Sequence, residues 1–334
     1  MRIIVESCSV PKYLQLAEGI IQAISESKLV RGDKIGSINE ISSQYKLARG
    51  TVKKAYEELQ NRGIITSKQG KGFYIVSTAI ETKLKIFLLF DTLNAYKETL
   101  YQSFRQTIGA HANLTIFFHH HNLRLFERMI TDNLGNYGYY VIMPHFNEDI
   151  SSIIKNIPPE KLLILDKELV RPDDSYASIF QPFEKDIYQA LHSGLEVLQK
   201  YKRINLVLST NSFQFIPDGI IQGFKRFCQE KAIAYQVLDN LSETDIEKGE
   251  VFIVFADSDL IRMIKYAGEH HLQLGADIGI ISYDDTPMKS VLEKGITVIS
   301  TDFVAMGKKA AEMILSRKIE KIKNDSGLIL RRSL

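Results

Sequence analysis

Residues 37–59 read SINEISSQYKLARGTVKKAYEEL, and this stretch decides the fold of the N-terminal part of the chain. Ser37, followed three residues later by Glu40, forms a capping-box pattern that is typical of a helix N-terminus. A second helix is predicted from about residue 48 to residue 62, because its apolar side chains recur with helical spacing. These apolar positions are Val52, Ala55, Tyr56 and Leu59. Two helices joined by a short turn indicate a helix-turn-helix.

The flanking segments extend this motif to a winged form. Upstream, residues 13–26 carry apolar side chains on one helical face, which predicts a first helix. Downstream, two β-rich runs at 64–67 and 73–76 flank a glycine-containing basic turn at 68–72, and this pattern predicts a hairpin. Three helices followed by a hairpin indicate a DNA-binding domain whose third helix enters the major groove.

The distribution of charge fits this interpretation. Residues 1–78 hold 12 Lys and Arg against 7 Asp and Glu, whereas the remainder holds 30 basic and 33 acidic residues. A basic N-terminal part beside a slightly acidic body is expected when only the first part meets a polyanion. The excess is small, so charge alone leaves chance and nucleic-acid binding equally open.

The composition of the 334-residue chain narrows the other possibilities. Hydrophobic residues make up 45% and charged residues 25%, which is typical of a globular protein with packed cores. No apolar run approaches the roughly 18 residues of a membrane span, and residues 1–9 lack a signal-peptide pattern, so we expect a cytoplasmic protein without membrane contact. Cys8 and Cys228 fit no metal spacing, and we expect neither a metal nor a cofactor.

From residue 84 onward, short apolar runs alternate with helical stretches. The strand-like runs are 84–90, 114–118, 139–143, 162–165, 204–208, 251–255, 278–281 and 297–299. Alternation of this kind predicts an α/β fold with parallel sheets covered by helices. Because ligands of such sheets bind at the carboxyl ends of the strands, the residues that follow the strands are candidate ligand contacts.

The strand ends carry carboxylates and amides, which suit the recognition of hydroxyl groups. Asp91 and Asn94 follow the first strand of the body, and Asp257 and Asp284 follow two later strands. A carboxylate accepts hydrogen bonds from two adjacent sugar hydroxyls. Asp257 is equally well explained as a cap of the helix that follows it. The candidates for stacking against a sugar ring are Tyr96 and Phe183.

The N-terminal motifs resemble those of the GntR family of regulators. The matching residues occur in family order: Pro11-x-Tyr13-x-Gln15, Gly32-Asp33, Ser37-x-x-Glu40, Arg49-x-Thr51-Val52, Ala55-x-x-x-Leu59, Gly63-Ile64-Ile65 and Gly70-Lys71-Gly72. The resemblance implies sequence-specific binding to double-stranded DNA. Two positions depart from the family pattern, because Asn39 stands where an arginine often contacts DNA and Ala48 replaces the usual serine.

The DNA-binding residues that this resemblance implies lie on the helix-turn-helix and on the wing. They are Ser37, Asn39, Ala48, Arg49, Gly50, Thr51, Lys53, Lys68, Gln69, Gly70 and Lys71. Arg49 begins the predicted third helix, at the end from which side chains reach base edges. Lys53 is equally well explained as a solvated charge on a helix surface.

The body resembles the effector domain of the LacI/GalR family, which is itself similar to periplasmic sugar-binding proteins. The matching signatures are Asp91-x-x-Asn94-x-Tyr96, Tyr137-Gly138, Val141-Ile142-x-Pro144, Leu163-Ile164-x-Asp166, Gly223-Phe224, residues 277–285 and Gly307-x-x-Ala310-Ala311. A GntR-type reader joined to a LacI-type sensor is similar to arabinose-responsive regulators. The resemblance implies two lobes of parallel sheet, three chain crossings between them and a sugar bound in the cleft.

The strand ends and this resemblance together predict the effector-binding residues. They are Asp91, Asn94, Tyr96, Gln181, Phe183, Asp218, Asp257 and Asp284. Ile220 replaces the arginine that usually holds the ligand in this family, so a phosphorylated sugar lacks its clamp. We therefore favour a neutral monosaccharide, such as a pentose or a deoxyhexose.

These patterns predict a transcriptional regulator of carbohydrate catabolism, a homodimeric repressor that reads a palindromic operator and responds to a sugar. The predicted domains are a winged helix-turn-helix over 1–76, a linker over 77–83 and a bilobed effector-binding and dimerisation domain over 84–334. The first lobe is expected at about 84–182 and 283–302, and the second at about 183–282 and 303–330.

Two other classes of function stay open. GntR-type domains also occur fused to pyridoxal-phosphate enzymes, but no catalytic triad, phosphate loop or metal spacing is evident in this sequence. A plain sugar-binding protein is the second alternative, and the winged domain argues against it. The run from His119 to His121 is interpreted as a surface turn, since consecutive strand residues point to opposite faces and cannot share one ion.

Overall fold

A computed structural model describes residues 11–68, 71–77, 84–169, 176–210 and 215–334. Within these ranges the chain forms a small winged domain with a three-stranded sheet, and a body with two six-stranded sheets and their covering helices. The predicted fold class is therefore confirmed. No helix in these ranges has the length and apolar character that crossing a membrane requires. The predictions outside the described residues concern Cys8, Gln69, Gly70 and most of the linker.

The N-terminal domain follows the order predicted from its apolar spacing. Its elements are α1 (Lys12–Ser25), β1 (Lys34–Ile35), α2 (Ile38–Tyr45), α3 (Arg49–Asn61), β2 (Ile65–Lys68) and β3 (Gly72–Ile75). The strands pair antiparallel in the order β1-β3-β2. The capping box of α2 is formed, because Ser37 Oγ accepts from the Glu40 N–H at 3.3 Å and Glu40 Oε2 accepts from the Ser37 N–H at 2.6 Å.

One hydrophobic core holds the three helices and the hairpin of this domain together. The fully buried apolar side chains of α1 and α3 are Leu16, Ala17, Ile20, Val52, Ala55 and Leu59. Arg62, directly after α3, adds a polar tie, since its guanidinium donates to Glu18 of α1 and to Glu58 of α3, each at 2.7 Å. These contacts fix the direction of α3 relative to the other two helices.

The body contains the remaining α-helices and strands. Those before residue 200 are β4 (Leu84–Phe90), α4 (Ala95–Ile108), β5 (Ala112–Phe118), α5 (Leu123–Asn133), β6 (Tyr139–Ile142), α6 (Ser151–Ile154), β7 (Leu162–Asp166), β8 (Ala177–Phe180), α7 (Phe183–Ser193) and α8 (Leu195–Leu198). Those after it are β9 (Arg203–Val207), α9 (Asp218–Glu230), β10 (Tyr235–Leu238), β11 (Glu250–Val254), α10 (Asp257–Glu269), β12 (Gly279–Tyr283), α11 (Pro287–Val291), β13 (Thr297–Thr301), α12 (Phe303–Ser316), β14 (Lys321–Lys323) and β15 (Ser326–Ile329).

Two sheets divide the strands of the body into two lobes. The first sheet has the order β14-β8-β7-β6-β4-β5, and the second has the order β10-β9-β11-β12-β13-β15. Strands β14, β8, β7 and β6 pair in parallel, as do β10, β9, β11, β12 and β13. Among the pairings described for the body, β15 joins β13 in the antiparallel sense. The largely parallel pairing brings the carboxyl ends of the strands to one edge of each sheet.

The lobe boundaries differ from the predicted ones in the C-terminal part of the body. Residues 283–302 are predicted in the first lobe, but β13 within them pairs with β12 of the second sheet. Residues 303–330 are predicted in the second lobe. This holds for β15, which pairs with β13, but α12 packs against α4 and β14 pairs with β8 of the first sheet. Alternation of strands and helices shows where strands occur without showing which sheet each one joins. The chain crosses between the sheets three times, after β8, β13 and β14.

Gly307 allows α12 to approach α4 closely, and its substitution tests that packing. A Cβ atom at this position would lie 2.3 Å from the Leu100 carbonyl oxygen and 2.9 Å from the Phe104 backbone nitrogen. We expect Gly307→Ala to lower the free energy of unfolding by about 1–3 kcal/mol in urea titrations, because backbone atoms must shift. Gly268→Ala in α10, where nothing lies within 4 Å, is the control and should raise stability by about 0.5–1 kcal/mol. Equal effects of the two substitutions would contradict this packing.

Candidate functional site

The N-terminus of α3 carries the residues predicted to read DNA. The helix begins at Arg49, whose side chain is exposed, and Ala48 occupies the N-cap without a side-chain hydrogen bond. The uncapped N–H groups of the first turn favour a phosphate oxygen. Gly50 is exposed and Thr51 is half-buried on the same turn, and Asn39 is exposed on α2. The exposed positions Arg49, Gly50 and Asn39 are accessible to a partner.

Three other predicted DNA contacts have intramolecular partners. Ser37 is the N-cap of α2, so its hydroxyl already holds a backbone N–H. The Lys53 ammonium lies 3.7 Å from a glutamate one turn later in α3, and the Lys68 ammonium lies over the Tyr74 ring at 4.9 Å. Lys71 in the wing is exposed. Contact of the first three side chains with DNA would require them to exchange these partners.

A cavity in the body lies at the carboxyl ends of strands from both sheets. Its lining residues are Tyr96, His145, Asp166, Gln181, Phe183, Phe215, Pro217, Ile220, Phe255, Tyr283, Asp284 and Phe303. Six phenyl or phenol rings therefore surround a few polar groups. The cavity has a volume of about 20 Å³, which is room for a water molecule and far less than a monosaccharide occupies.

Four of the eight predicted effector residues line this cavity: Tyr96, Gln181, Phe183 and Asp284. Tyr96 stacks on Phe303, with 4.5 Å between the ring centroids. Asp284 is 8% exposed, and its carboxylate has no hydrogen-bond partner among the described residues. A buried acceptor of this kind, facing a cavity, is suited to a donor that a ligand brings.

The other four predicted effector residues do not line the cavity. Asp91 contacts the lining residue His145, and Asn94 caps α4 by accepting from a backbone N–H at 3.2 Å. Asp218 is exposed at the first position of α9. Asp257 begins α10 with its side chain 70% exposed, so the prediction that it reaches the pocket is not met. The strand-end rule selects the right loops but not the direction of each side chain.

Two buried carboxylates hold His145 in the cavity wall. His145 Nδ1 lies 2.9 Å from Oδ2 of Asp91, and His145 Nε2 lies 2.8 Å from Oδ2 of Asp166. Lys97 pairs with the other oxygen of Asp91, and Gln181 donates to the other oxygen of Asp166. All five side chains are buried. They form one continuous chain of polar contacts in the first lobe.

Burial and charge compete in setting the proton affinities of this site. Burial alone would lower the pKa of His145, but Asp91 and Asp166 more than offset it and raise the pKa to about 9. Burial would raise the pKa of Asp91, yet His145 and Lys97 hold it well below its usual range. Asp284 lacks such a close cation, and burial raises its pKa to about 7.

Lys289 supports the backbone that carries Asp284. The φ angle of Asp284 is 60°, a left-handed conformation that is unusual outside glycine. The buried Lys289 ammonium donates to the carbonyl oxygens of Tyr283 and Asp284, both at 2.9 Å. Its third neighbour is Asp257, 3.3 Å away. Asp257 therefore stabilises the loop through Lys289 and does not itself face a ligand.

Sequence reasoning missed His145 and Asp166 as site residues. Asp166 ends β7 and belongs to the LacI/GalR signature Leu163-Ile164-x-Asp166, so its strand-end position could have identified it as a site residue. His145 follows β6 by three residues, but a lone histidine there gave no chemical pattern. The interpretation of His119 as part of a surface turn is wrong, because it is fully buried and stacks on Phe146 at 4.6 Å between centroids. Burial lowers the pKa of His119 to about 4.

Known protein families match the two parts of the chain separately. The family described as bacterial regulatory proteins, gntR family, matches residues 12–75, and the periplasmic binding protein-like domain matches residues 197–333. The fold and these matches define a DNA-binding transcriptional regulator with a periplasmic-binding-protein-like body. YhcF of Bacillus subtilis, an uncharacterized HTH-type transcriptional regulator, is 33% identical over 89 residues, covering 26% of this chain and 74% of that protein. The chain belongs to the gntR family of bacterial regulatory proteins.

Other similar proteins extend over the body. The arabinose metabolism transcriptional repressor of Geobacillus stearothermophilus is 22% identical over 355 residues, which cover 94% of each chain. The dimeric Lac repressor with a C-terminal deletion is similar in structure, with a TM-score of 0.63, 15% identity, and coverage of 75% of this chain and 98% of that one. A LacI family transcriptional regulator from Lactobacillus casei with bound glucose is also similar in structure. Its TM-score is 0.60 at 15% identity, with coverage of 75% of this chain and 99% of that one. At these identities the structures show a shared fold alone.

Asp284→Asn tests the charge state of the unpartnered carboxylate. The folded pKa of about 7 lies above the usual value of 3.8, so the folded protein binds more protons than the unfolded chain between these values. Stability of the wild type therefore falls as pH rises from about 4 to about 7. We expect the variant to be more stable than wild type at pH 8, and this advantage to shrink towards pH 4.

Thermal unfolding at the two pH values measures this difference, since 1 kcal/mol corresponds to roughly 2–4 °C in a domain of this size. Asp239→Asn, which changes an exposed aspartate of the same lobe, is the control. A stability difference between Asp284→Asn and wild type that does not change with pH would refute the assignment of a raised pKa.

Proposed function

We propose that this protein is a repressor of carbohydrate catabolism whose affinity for its operator falls when a small sugar binds in the body. The observation that carries the proposal is the cavity at the strand ends, where the buried Asp284 carboxylate has no hydrogen-bond partner among the described residues. A ligand hydroxyl satisfies such an acceptor. Similarity over nearly the whole chain to a protein named as an arabinose metabolism repressor supports carbohydrate metabolism as the regulated process.

The effector that we propose is a neutral monosaccharide, a pentose or a deoxyhexose. Ile220 is buried in the cavity wall and offers no charge to a phosphate group. Phe183 and Phe215, also in the wall, provide apolar ring faces for the C–H groups of a sugar. Hydroxyls would donate to Asp284 and to the lone pairs of Asp166 that His145 and Gln181 leave open.

We further propose that the protein acts in the cytoplasm as a homodimer on a palindromic operator. Two apolar side chains on α11, Met288 at 69% and Val291 at 74%, are exposed, which fits burial against a second copy. A two-fold symmetric dimer presents two copies of α3 to two half-sites, so the operator is expected to be palindromic. The predicted residues on α2, α3 and the wing supply its contacts.

Arg49→Ala and Lys71→Ala separate base reading from backbone binding. An operator is first selected from random duplexes with the wild-type protein. We expect Arg49→Ala to lose about 1–3 kcal/mol and to relax the preference at one base pair in each half-site. Lys71→Ala should weaken binding to all sequences alike and flatten the salt dependence. Gel shifts on operator variants at two salt concentrations measure both effects, and an unchanged preference in Arg49→Ala would contradict base contact.

A sugar in the cavity should weaken operator binding by about 5- to 150-fold, a coupling of 1–3 kcal/mol. The sugar is identified by a thermal-shift screen of monosaccharides that includes L-arabinose, since a ligand at 100 times its Kd adds about 2.7 kcal/mol of stability. Asp284→Ala should bind the operator normally and the sugar about ten- to a hundredfold more weakly. Arg49→Ala should bind the sugar normally and the operator more weakly. Superimposed anisotropy curves with and without sugar would rule out allosteric control.

The alternatives are an enzyme, or a plain sugar-binding protein, fused to a DNA-binding domain. Chemical conversion of the bound sugar by the purified protein would establish the enzyme. Failure to enrich any operator from random duplexes would favour the plain binding protein. The whole-length similarity to a transcriptional repressor favours the regulator over both.

A further inference from the structure

The hydrogen bonds of His145 determine its charge. A neutral imidazole has one N–H donor and one acceptor nitrogen, whereas an ionised carboxylate only accepts. Both ring nitrogens of His145 lie within 2.9 Å of carboxylate oxygens, one of Asp91 and one of Asp166. With Asp91 and Asp166 both ionised, both ring nitrogens donate, and the ring is an imidazolium. A pKa raised to about 9 by the same two carboxylates agrees with this geometry.

Carboxylates of the first lobe compensate the positive charge of this imidazolium. Lys97 and His145 face Asp91 and Asp166, so two cations balance two carboxylates. Of the two lysines near the cavity, Lys289 holds two carbonyls and Asp257. Lys167 does not line the cavity; its ammonium donates to the neutral Phe146 carbonyl, and burial lowers its pKa. Among the described residues, no unshared cation lines the cavity, while Asp284 remains an unshared acid.

Two further imidazoles lie near His145. His121 Nε2 lies 3.4 Å from the Asp91 carboxylate, and His119 contacts the Met143 carbonyl at 3.3 Å. Burial lowers the pKa of His119 to about 4, so this ring is neutral near pH 7. An anionic group entering the cavity would meet carboxylates without an available counter-charge, whereas hydroxyl groups would meet acceptors.

We propose that His145 is a fixed buried cation that positions Asp166 and sets the charge selectivity of the pocket, so that uncharged sugars bind and the corresponding sugar acids do not. The inference rests on the proposed function of the cavity as the effector site. His145 acts through Asp166: with Gln181 it holds both carboxylate oxygens, leaving the free lone pairs of Asp166 for ligand hydroxyls. It is a positioning residue and not itself a hydrogen-bond donor to the ligand.

The charge state is tested on the ligand-free protein. Nitrogen-15 NMR of histidine-labelled full-length protein should show both His145 nitrogens protonated at pH 7, and deprotonation with a pKa of about 9. His145→Gln identifies the signal, and His270→Gln, which removes an exposed imidazole of the second lobe, is the matched control. A neutral His145 ring at pH 7 overturns the proposal, whatever the protein binds.

Selectivity is tested by calorimetry with L-arabinose and L-arabinonate, and with L-rhamnose and L-rhamnonate. We expect the wild type to bind at least one of the two sugars, and to bind the corresponding sugar acid at least tenfold more weakly. Asp166→Asn leaves one N–H of His145 without a carboxylate. We therefore expect it to reduce or reverse the preference for the sugar over its acid, whereas His270→Gln should leave this preference unchanged. A wild type that binds sugar and acid equally overturns the selectivity.

The two proposals fail in different ways. If none of the four compounds and no sugar of the thermal-shift screen binds, the proposed function falls, and the selectivity proposal falls with it, even where NMR shows a protonated His145. If a sugar binds and its acid binds equally well, the proposed function stands and only the role of His145 is lost. His145→Gln that retains both wild-type affinity and wild-type selectivity would also overturn that role.

Discussion

Two carboxylates at strand ends of one sheet, Asp91 and Asp166, are buried in the first lobe, and their charges must be compensated where they lie. Removing a carboxylate from water without a partner costs far more than a lobe of this size can tolerate. Lys97 and His145 supply the compensation at hydrogen-bond distance. The four groups come from the ends of β4, β6 and β7 and from α4, so the charges meet only when these elements are in register. Correct folding of the first lobe and formation of the pocket wall are therefore one event.

A buried polar side chain also connects the segments where the chain crosses between the lobes. Asn324 is fully buried, and its amide donates to the Thr301 hydroxyl at 3.0 Å and to the Asp302 carbonyl at 2.9 Å. Its backbone N–H donates to the Phe180 carbonyl at 2.9 Å. One side chain and its backbone thus connect all three crossings. Because the crossings are tied together, a relative rotation of the lobes such as the proposed sensor needs would pivot about this point.

The sequence predicted the fold more completely than the site, and the reason is physical. Apolar spacing located the helices of the winged domain and most strands of the body, because burial imposes those periodicities. It could not assign β14 to the first sheet, since a three-residue strand carries no periodic signal. Strand-end reasoning found Asp284, but it placed Asp257 in the pocket, because direction depends on Lys289, which lies on another element. The sequence did not identify His145 as a site residue either, because its role depends on two carboxylates that are distant in sequence and meet it only in the folded lobe.

The small volume of the cavity determines how a ligand must enter. Phe215, which follows β9 of the second sheet, stacks on His145 of the first lobe with 5.2 Å between centroids and 15° between the ring planes. This contact between a ring face and a cation is favourable, and it fills the space that a sugar would need. A sugar that binds here as proposed would have to separate Phe215 from His145, so its affinity would be lower than its contacts alone would give. Under the proposed function, a sugar would replace this interlobe contact by contacts of its own, and the difference in free energy between the two arrangements would be available to change the affinity for DNA.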